Sequence, residues 1–396
     1  MPGLRGLITG VSACVVVVCG SDGDTASSAG DFPTIPIAED LRLDGYTEDL
    51  VPVQWAGVSP GGDIAILQWQ DHSVRFYDTS GTLLGSVGRQ GEGPGEFRRL
   101  VRAGWIADTL WISDTQLRRS TLIGPDLEVV RTVPYHEMAE PAPGDTVPAY
   151  QGPSPYAMFA DGGSIVWALR RADGMPIDAG TGPPLLRLSR DGHIENRVAG
   201  IASDEAGYVS FSVANGTAGS IIPFYPQLAW TVSPHGMRVG LLTTDMQAAE
   251  PYFRVIVVDG RGARVVDRSF TFMPEPIPDA VRDSAIHARA FSRSDTTVSR
   301  DIESALRDAT PRVYLSATQI LIGTDDRIWI GMRPTADGTR WRVLSPAGDP
   351  QGEILLPPRV RLRDAGAEYV LCTERDEFDV ESVVRYRIGA ARATDR

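Results

Sequence analysis

Cysteine is scarce in this chain: Cys14, Cys19 and Cys372 are its three, and two of them fall within the first nineteen residues. A disulfide framework is therefore excluded. Basic residues are in the minority, with 38 Lys plus Arg against 51 Asp plus Glu and a formal net charge of -13, and no run of Lys or Arg offsets the balance. Phosphate backbones and anionic membrane surfaces need a basic face, so nucleic acid is excluded as a main partner. Histidine is sparse as well: His72, His136, His193, His235 and His287 show neither H-x-H nor H-E-x-x-H spacing. No metal ligands and no cofactor are assigned from them. Long hydrophobic runs are also missing, since the mostly apolar stretch from Leu7 to Val18 is too short to cross a bilayer.

What is abundant is turn chemistry, with 41 Gly and 29 Pro beside a hydrophobic content of 42% that rules out a disordered chain. The first residues stand apart. Arg5, the apolar stretch to Val18, Cys19 and a Gly/Ser/Ala/Asp segment resemble the export signal of a bacterial lipoprotein. That resemblance implies an export signal over residues 1–19, lipidation at Cys19, a flexible tether over 20–31 and a single domain over 32–396. Val18 departs from the small residue such signals prefer before the cysteine, and "VSAC", ending at Cys14, is the alternative. Cys372 follows the apolar run Tyr369 to Leu371 and has Glu374, Asp376 and Glu377 beyond it, so it reads as a buried strand residue and not a reactive thiol.

From Phe32 onward, short runs of Val, Ile, Trp and Tyr are bounded by Gly, Asp, Ser and Pro, the pattern of strands and tight turns. One unit recurs. In "SPGGDIAILQW" followed by "SVRFYDTSGTLLGSVG" it contains a strand, a gap, a strand, a D-x-x-G turn and a further strand, and comparable pairs return along the chain to "GAEYVLC" with "DVESVVRYRI". Repeated four-stranded units with no helical period between them predict an all-β, six-bladed β-propeller of antiparallel blades. The final copy lacks its outermost strand. The segment "FPTIPIAEDLRLDGY" is therefore expected to supply it, closing the ring and removing an open sheet edge.

Val74 to Gly81 followed by Gly91 to Phe97 resembles the V-x-x-F/Y-D-x-x-G and G-E-G-P-G-E-F elements of bacterial six-bladed propellers related to NHL-repeat domains. The resemblance implies the fold and export, and it leaves the activity open. Read from the residues, "GRQGEGPGEF" (Gly88 to Phe97) is a joint between blades: its glycine spacing is not G-x-G-x-x-G and a strand follows where a phosphate-binding helix would start. Phe97 would anchor it. Connections between strands two and three and from blade to blade are long and varied, whereas the others are uniformly short, which gathers the bulk on one face. The longest insertion, about 275–311 between blades four and five, carries helical spacing in Ile277, Val281, Ala285, Ala288 and Phe291 and again in Ile302, Ala305 and Leu306, with Asp279 and Asp301 near the expected helix starts.

"GVSPG" (Gly57 to Gly61) matches a nucleophile elbow by letter, but Pro60, Gly61 and Gly62 lead into another strand and not a helix. "DGD" at Asp22 begins like a calcium loop, yet Pro33 stands where the bidentate Glu belongs. The residues expected at the loop-rich mouth are Trp69, His72, Arg98, Arg99 and Arg102, where Arg would grip an anion and Trp offer a stacking surface. The sequence thus points to a monomeric, membrane-tethered binding module for a small molecule, a polymer or an envelope protein. The alternative is a metal-dependent hydrolase, lactonase or lyase with converging carboxylates at the central channel and a divalent ion.

Overall fold

The computed structural model describes residues 26–27, 32–50, 52–177, 182–201, 207–213, 216–225, 228–246, 248–291 and 296–389. Cys14, Cys19 and most of the 20–31 tether lie outside them. Among the described residues no helix is long and apolar enough to cross a membrane.

The strands run as antiparallel meanders of four, over residues 53–87, 100–134, 154–200, 229–271 and 317–356, and then three strands over 360–388. The missing outer strand of the final meander is Ile37–Leu43, which pairs antiparallel with Glu381–Ile388 from Ile37 opposite Ile388 to Leu43 opposite Val383. The chain's first long strand therefore joins its last sheet. Five of these meanders are sheets of their own, one extended by the two-residue strand Ala26–Ser27, whereas the 154–200 meander is fused with three short strands into a seven-stranded sheet.

Apolar residues on both faces of each meander pack against its neighbours, so the core is a chain of interfaces and not one central cluster. Ala65, Leu67, Val74 and Phe76 meet Leu100, Leu110, Ile112 and Ile123. Trp111 and Leu122 meet Met158, and Phe159, Ile165 and Leu185 meet Val239, Leu241 and Ile256. Further round, Phe253, Val255 and Phe270 meet Ile320, Ile328 and Ile330, and Trp329, Trp341 and Ile354 meet Val360, Leu362 and Cys372. Leu41, Leu371 and Val383 finally meet Val53, Ile64 and Tyr77 of the first meander. The ring closes, and the fold is an all-β propeller carrying two helices.

Turn chemistry follows the D-x-x-G reading. The Asp78 carboxylate accepts the Ser80 and Thr82 backbone N–H groups while Gly81 takes a φ of 88, a left-handed conformation in which a side chain is strained. Ser59, Ser189 and Ser345 use a hydroxyl for the same task, each accepting the N–H four residues on.

The helical insertion contains α1 (Asp279–Ala290) and α2 (Thr296–Ala309). Two details differ from the sequence reading. Thr296 opens α2, so Asp301 sits inside the helix and not at its start. The buried face of α1 is Arg282, Ile286 and Ala290, with Val281 exposed. Arg282 explains the rotation: its guanidinium donates to the carbonyls of Arg307, Thr310 and Pro311 at the carboxyl end of α2, where a cation also opposes the helix dipole. The pair shares a core of Ile286, Ala290, Ile302 and Leu306 with Ile222, beside the hairpin Tyr208–Val213 and Gly216–Ile221.

Candidate functional site

In a meander the connections alternate between its two ends, so those from strand two to three and from sheet to sheet share one face. The long segments 135–153, 168–183, 201–228 and 272–316 all have that parity. The chain enters each inner strand from this face, which makes the first residues of the inner strands its rim. Five inner strands skip one residue in their pairing: Gln54, Val101, Tyr156, Thr318 and Arg363. The strand Ala229–Val232 pairs without interruption. Such bulges bend a strand and re-aim side chains, and they cluster at functional rims.

At these bulges side chains reach from one inner strand to the next. Gln54 Nε2 lies 3.5 Å from the Val101 carbonyl, and Arg363 donates to the Val53 carbonyl at 3.3 Å. The densest group belongs to the second, third and fourth meanders. Arg102 donates from Nη2 to Tyr156 Oη at 2.5 Å, with Nη1 3.5 Å from Ser154 Oγ, and its guanidinium carbon sits 3.6 Å from the Tyr156 ring centroid. Tyr156 in turn meets Trp230 at 4.7 Å and Trp167 at 6.1 Å between centroids, and the two indoles are 5.7 Å apart. The aromatic rings therefore hold each other and the arginine in place.

Tyr135, immediately after the outer strand Val129–Pro134, completes the group. Its hydroxyl bonds the buried Ser113 hydroxyl, and burial pushes its pKa up to about 12 against the opposing pull of Ser113, Arg102 and Arg118. Burial likewise raises the Tyr156 pKa, opposed by Arg102. Both phenols are thus neutral donors and acceptors at physiological pH. Asp114 is the neighbouring carboxylate, and it is spent on backbone: Oδ2 accepts Arg98 and Arg99 N–H, Oδ1 those of Gln116 and Leu117. Among the described residues no ion pair joins Arg102 to a carboxylate.

The five residues named from sequence are divided by the structure. Arg102 is at the rim. Arg98 turns back to Glu92 at 3.0 Å, and Arg99 is exposed on the same joint. Trp69 is 42% exposed in the connection 69–72, whose last residue, His72, has a φ of 53. A Cβ on Gly88 would meet the His72 carbonyl at 2.7 Å, so this corner abuts the glycine joint and not the aromatic group. Tyr135, Tyr156, Trp167 and Trp230 escaped sequence reading because strand aromatics are usually core, and an extra residue in a strand leaves no mark in composition.

The joint itself fills its own donor cluster. Glu96 folds back so that Oε2 accepts the N–H groups of Glu92 at 3.0 Å and Gly93 at 2.8 Å, while Arg89 pairs with Oε1. Arg119 clamps the carbonyls of Glu92, Gly93 and Glu96. A Cβ on Gly91 would stand 2.1 Å from Glu96 Oε2, so a side chain there requires the carboxylate to shift. Phe97 is fully buried between the first two meanders.

On the opposite face, His235 Nδ1 lies 3.3 Å from Ser233 Oγ and Nε2 3.2 Å from Asp326 Oδ1. The order Ser, His, Asp resembles a nucleophilic triad, but Ser233 is buried and its hydroxyl accepts the Arg238 N–H as the other turn serines do. It is a turn, with His235 bridging to the next meander. Among the described residues no three His, Cys, Asp or Glu side chains converge to hold a metal.

No protein-family model matches the chain, and no curated protein matches it significantly. Similar solved structures include a DUF4221 family member from Bacteroides vulgatus, 10% identical with a TM-score of 0.47, covering 90% of this chain and 99% of that one. Virginiamycin B lyase from Staphylococcus aureus is 12% identical with a TM-score of 0.40, over 89% of this chain and 99% of that one. The calcium-binding protein regucalcin from Agrobacterium tumefaciens is 10% identical with a TM-score of 0.35, over 93% and 98%.

Proposed function

We propose that this protein is a binding module that takes a small molecule at the rim of its loop-rich face, between the second, third and fourth meanders. The observation that carries the reading is Arg102, stacked on and bonded to Tyr156 in front of Trp167 and Trp230, with no carboxylate pairing it among the described residues. A rigid ring of sheets with aromatic side chains and a few polar groups at one mouth is a common ligand-site design. In this reading the ring has six blades, the 154–200 meander being one whose outer strand has recruited Met138–Pro141 as a neighbour. Export and a lipid anchor at Cys19 belong to the same reading, supported by the leader sequence. Loss of membrane association and of acyl labelling in Cys19→Ser tests that part.

Binding is tested by thermal shift of the full chain against a panel of small metabolites. At least one compound is expected to raise the melting temperature, and Tyr156→Ala combined with Trp230→Ala to abolish the rise. An unchanged rise in the double variant places the site elsewhere. The alternative of a metal-dependent hydrolase, lactonase or lyase at the central channel requires a divalent ion, so elemental analysis of the purified protein tests it, and lactone assays before and after chelation test its lactonase form.

A further inference from the structure

We infer that the ligand is an organic anion with a flat apolar body, its oxyanion received by Arg102 together with Arg118; this rests on the binding reading above and narrows it. Arg118 comes from the connection between strands two and three of the second meander; its Nη2 donates to the His136 carbonyl at 3.4 Å, and like Arg102 it acts electrostatically on the Tyr135 hydroxyl. Its guanidinium carbon is 5.9 Å from the Tyr135 ring centroid, and Nη1 stands 3.8 Å from where a Cβ on Gly152 would lie, just before the inner strand that carries Ser154 and Tyr156.

Two further observations point to an oxyanion. First, in a chain of net charge -13 neither guanidinium has a carboxylate partner among the described residues, because Asp114 is committed to four backbone N–H groups. Second, Trp167 Nε1 is buried in the aromatic group with no acceptor among the described residues, and an unmade hydrogen bond of that kind costs free energy until something fills it. Two planar forks, two tyrosine hydroxyls, Ser154 and an indole N–H make a donor set suited to a carboxylate, sulfonate or phosphate. Tyr156, Trp167 and Trp230 then supply the surface for the apolar body.

Calorimetric titration of the full chain with benzoate, indole-3-carboxylate, benzenesulfonate and phenyl phosphate tests this, each against its uncharged counterpart: benzamide, indole-3-carboxamide, benzenesulfonamide and phenol. The four arms separate the sources of the oxyanion. At least one anion is expected to bind saturably, its counterpart about tenfold or more weakly, and Arg102→Met and Arg118→Met each to lower anion affinity about tenfold. Arg118 is exposed, so its variant reports on binding even where Arg102→Met folds poorly. Equal affinity for charged and uncharged members, or full anion affinity in Arg118→Met with Arg102→Lys, overturns the anion assignment while leaving a binding site that Trp230→Ala still removes. Absence of saturable binding by all the anions up to about 10 mM overturns it as well.

Discussion

Asp364 ties the end of the ring to its beginning, and it should do so at a pH-dependent cost. Its carboxylate accepts Val58 N–H of the first meander and Ala365 N–H, each at 2.8 Å, with Tyr369 Oη at 3.3 Å. Burial outweighs these donors and pushes its pKa up to about 6 from an ordinary value of 3.8. The folded state then holds the proton more tightly than the unfolded chain, so the contribution to stability is complete below the unfolded value and is lost as pH rises through the folded one. At about 1.4 kcal/mol per pH unit the whole effect is on the order of 3 kcal/mol, of which about 2 kcal/mol falls between pH 4.5 and 7.5. Groups such as Glu39, Asp78 and Asp173, whose pKa values are lowered by hydrogen bonds, act in the opposite sense below that window. The Asp364→Asn variant cannot ionise at this position. Urea unfolding of both proteins at several pH values should show wild type losing about 2 kcal/mol relative to the variant from pH 4.5 to 7.5. A difference constant across that range refutes the assignment of a raised pKa to this carboxyl.

Phe97→Ala opens a cavity between the first two meanders and should cost about 3–5 kcal/mol, with Phe97→Leu costing less, read from urea midpoints. Gly91→Ala forces Glu96 out of the joint, so a cycle with Glu96→Ala should be non-additive, the double variant losing less than the sum of the singles; additive losses would show that the contact is unimportant. Cys372 is buried and burial raises its thiol pKa strongly, so in a Cys14→Ser, Cys19→Ser chain it should resist Ellman's reagent until urea unfolds the protein. Stoichiometric labelling under native conditions would contradict that burial. Arg282→Met should leave the carbonyls of Arg307 and Thr310 short of donors and lower the melting temperature, whereas an unchanged value would mean that water replaces the guanidinium freely.

How much of this was visible in the sequence depends on the range of the interaction concerned. The turns at Asp78 and Gly81 are decided within five residues, so their letters suffice, and strand pairs such as Ile64–Gln68 with Ser73–Tyr77 follow from adjacent apolar runs. Closure by Ile37–Leu43 was legible too, because a meander short of one strand leaves an edge that some other segment must cover. The helix face was misread since Arg282 is a polar residue buried by partners twenty-five and more positions away, and no hydrophobic period contains that information. The rim was legible only as Arg102. Its companions Arg118, Tyr135 and Trp167 come from three different connections or strand ends, and only the radial stacking of sheets brings them together.

The glycine joint shows the same limit from the other side. Its letters distinguish it from a dinucleotide loop, but they do not show that Glu96 occupies its backbone donors. That occupancy has a consequence for function: the loop that most resembles an anion cradle is already satisfied by a covalently attached carboxylate, present at an effective concentration no free ligand matches. The anion recognition proposed for this face therefore falls to guanidinium groups that lack such an internal carboxylate, and Arg102 and Arg118 are two that both act on the Tyr135 hydroxyl.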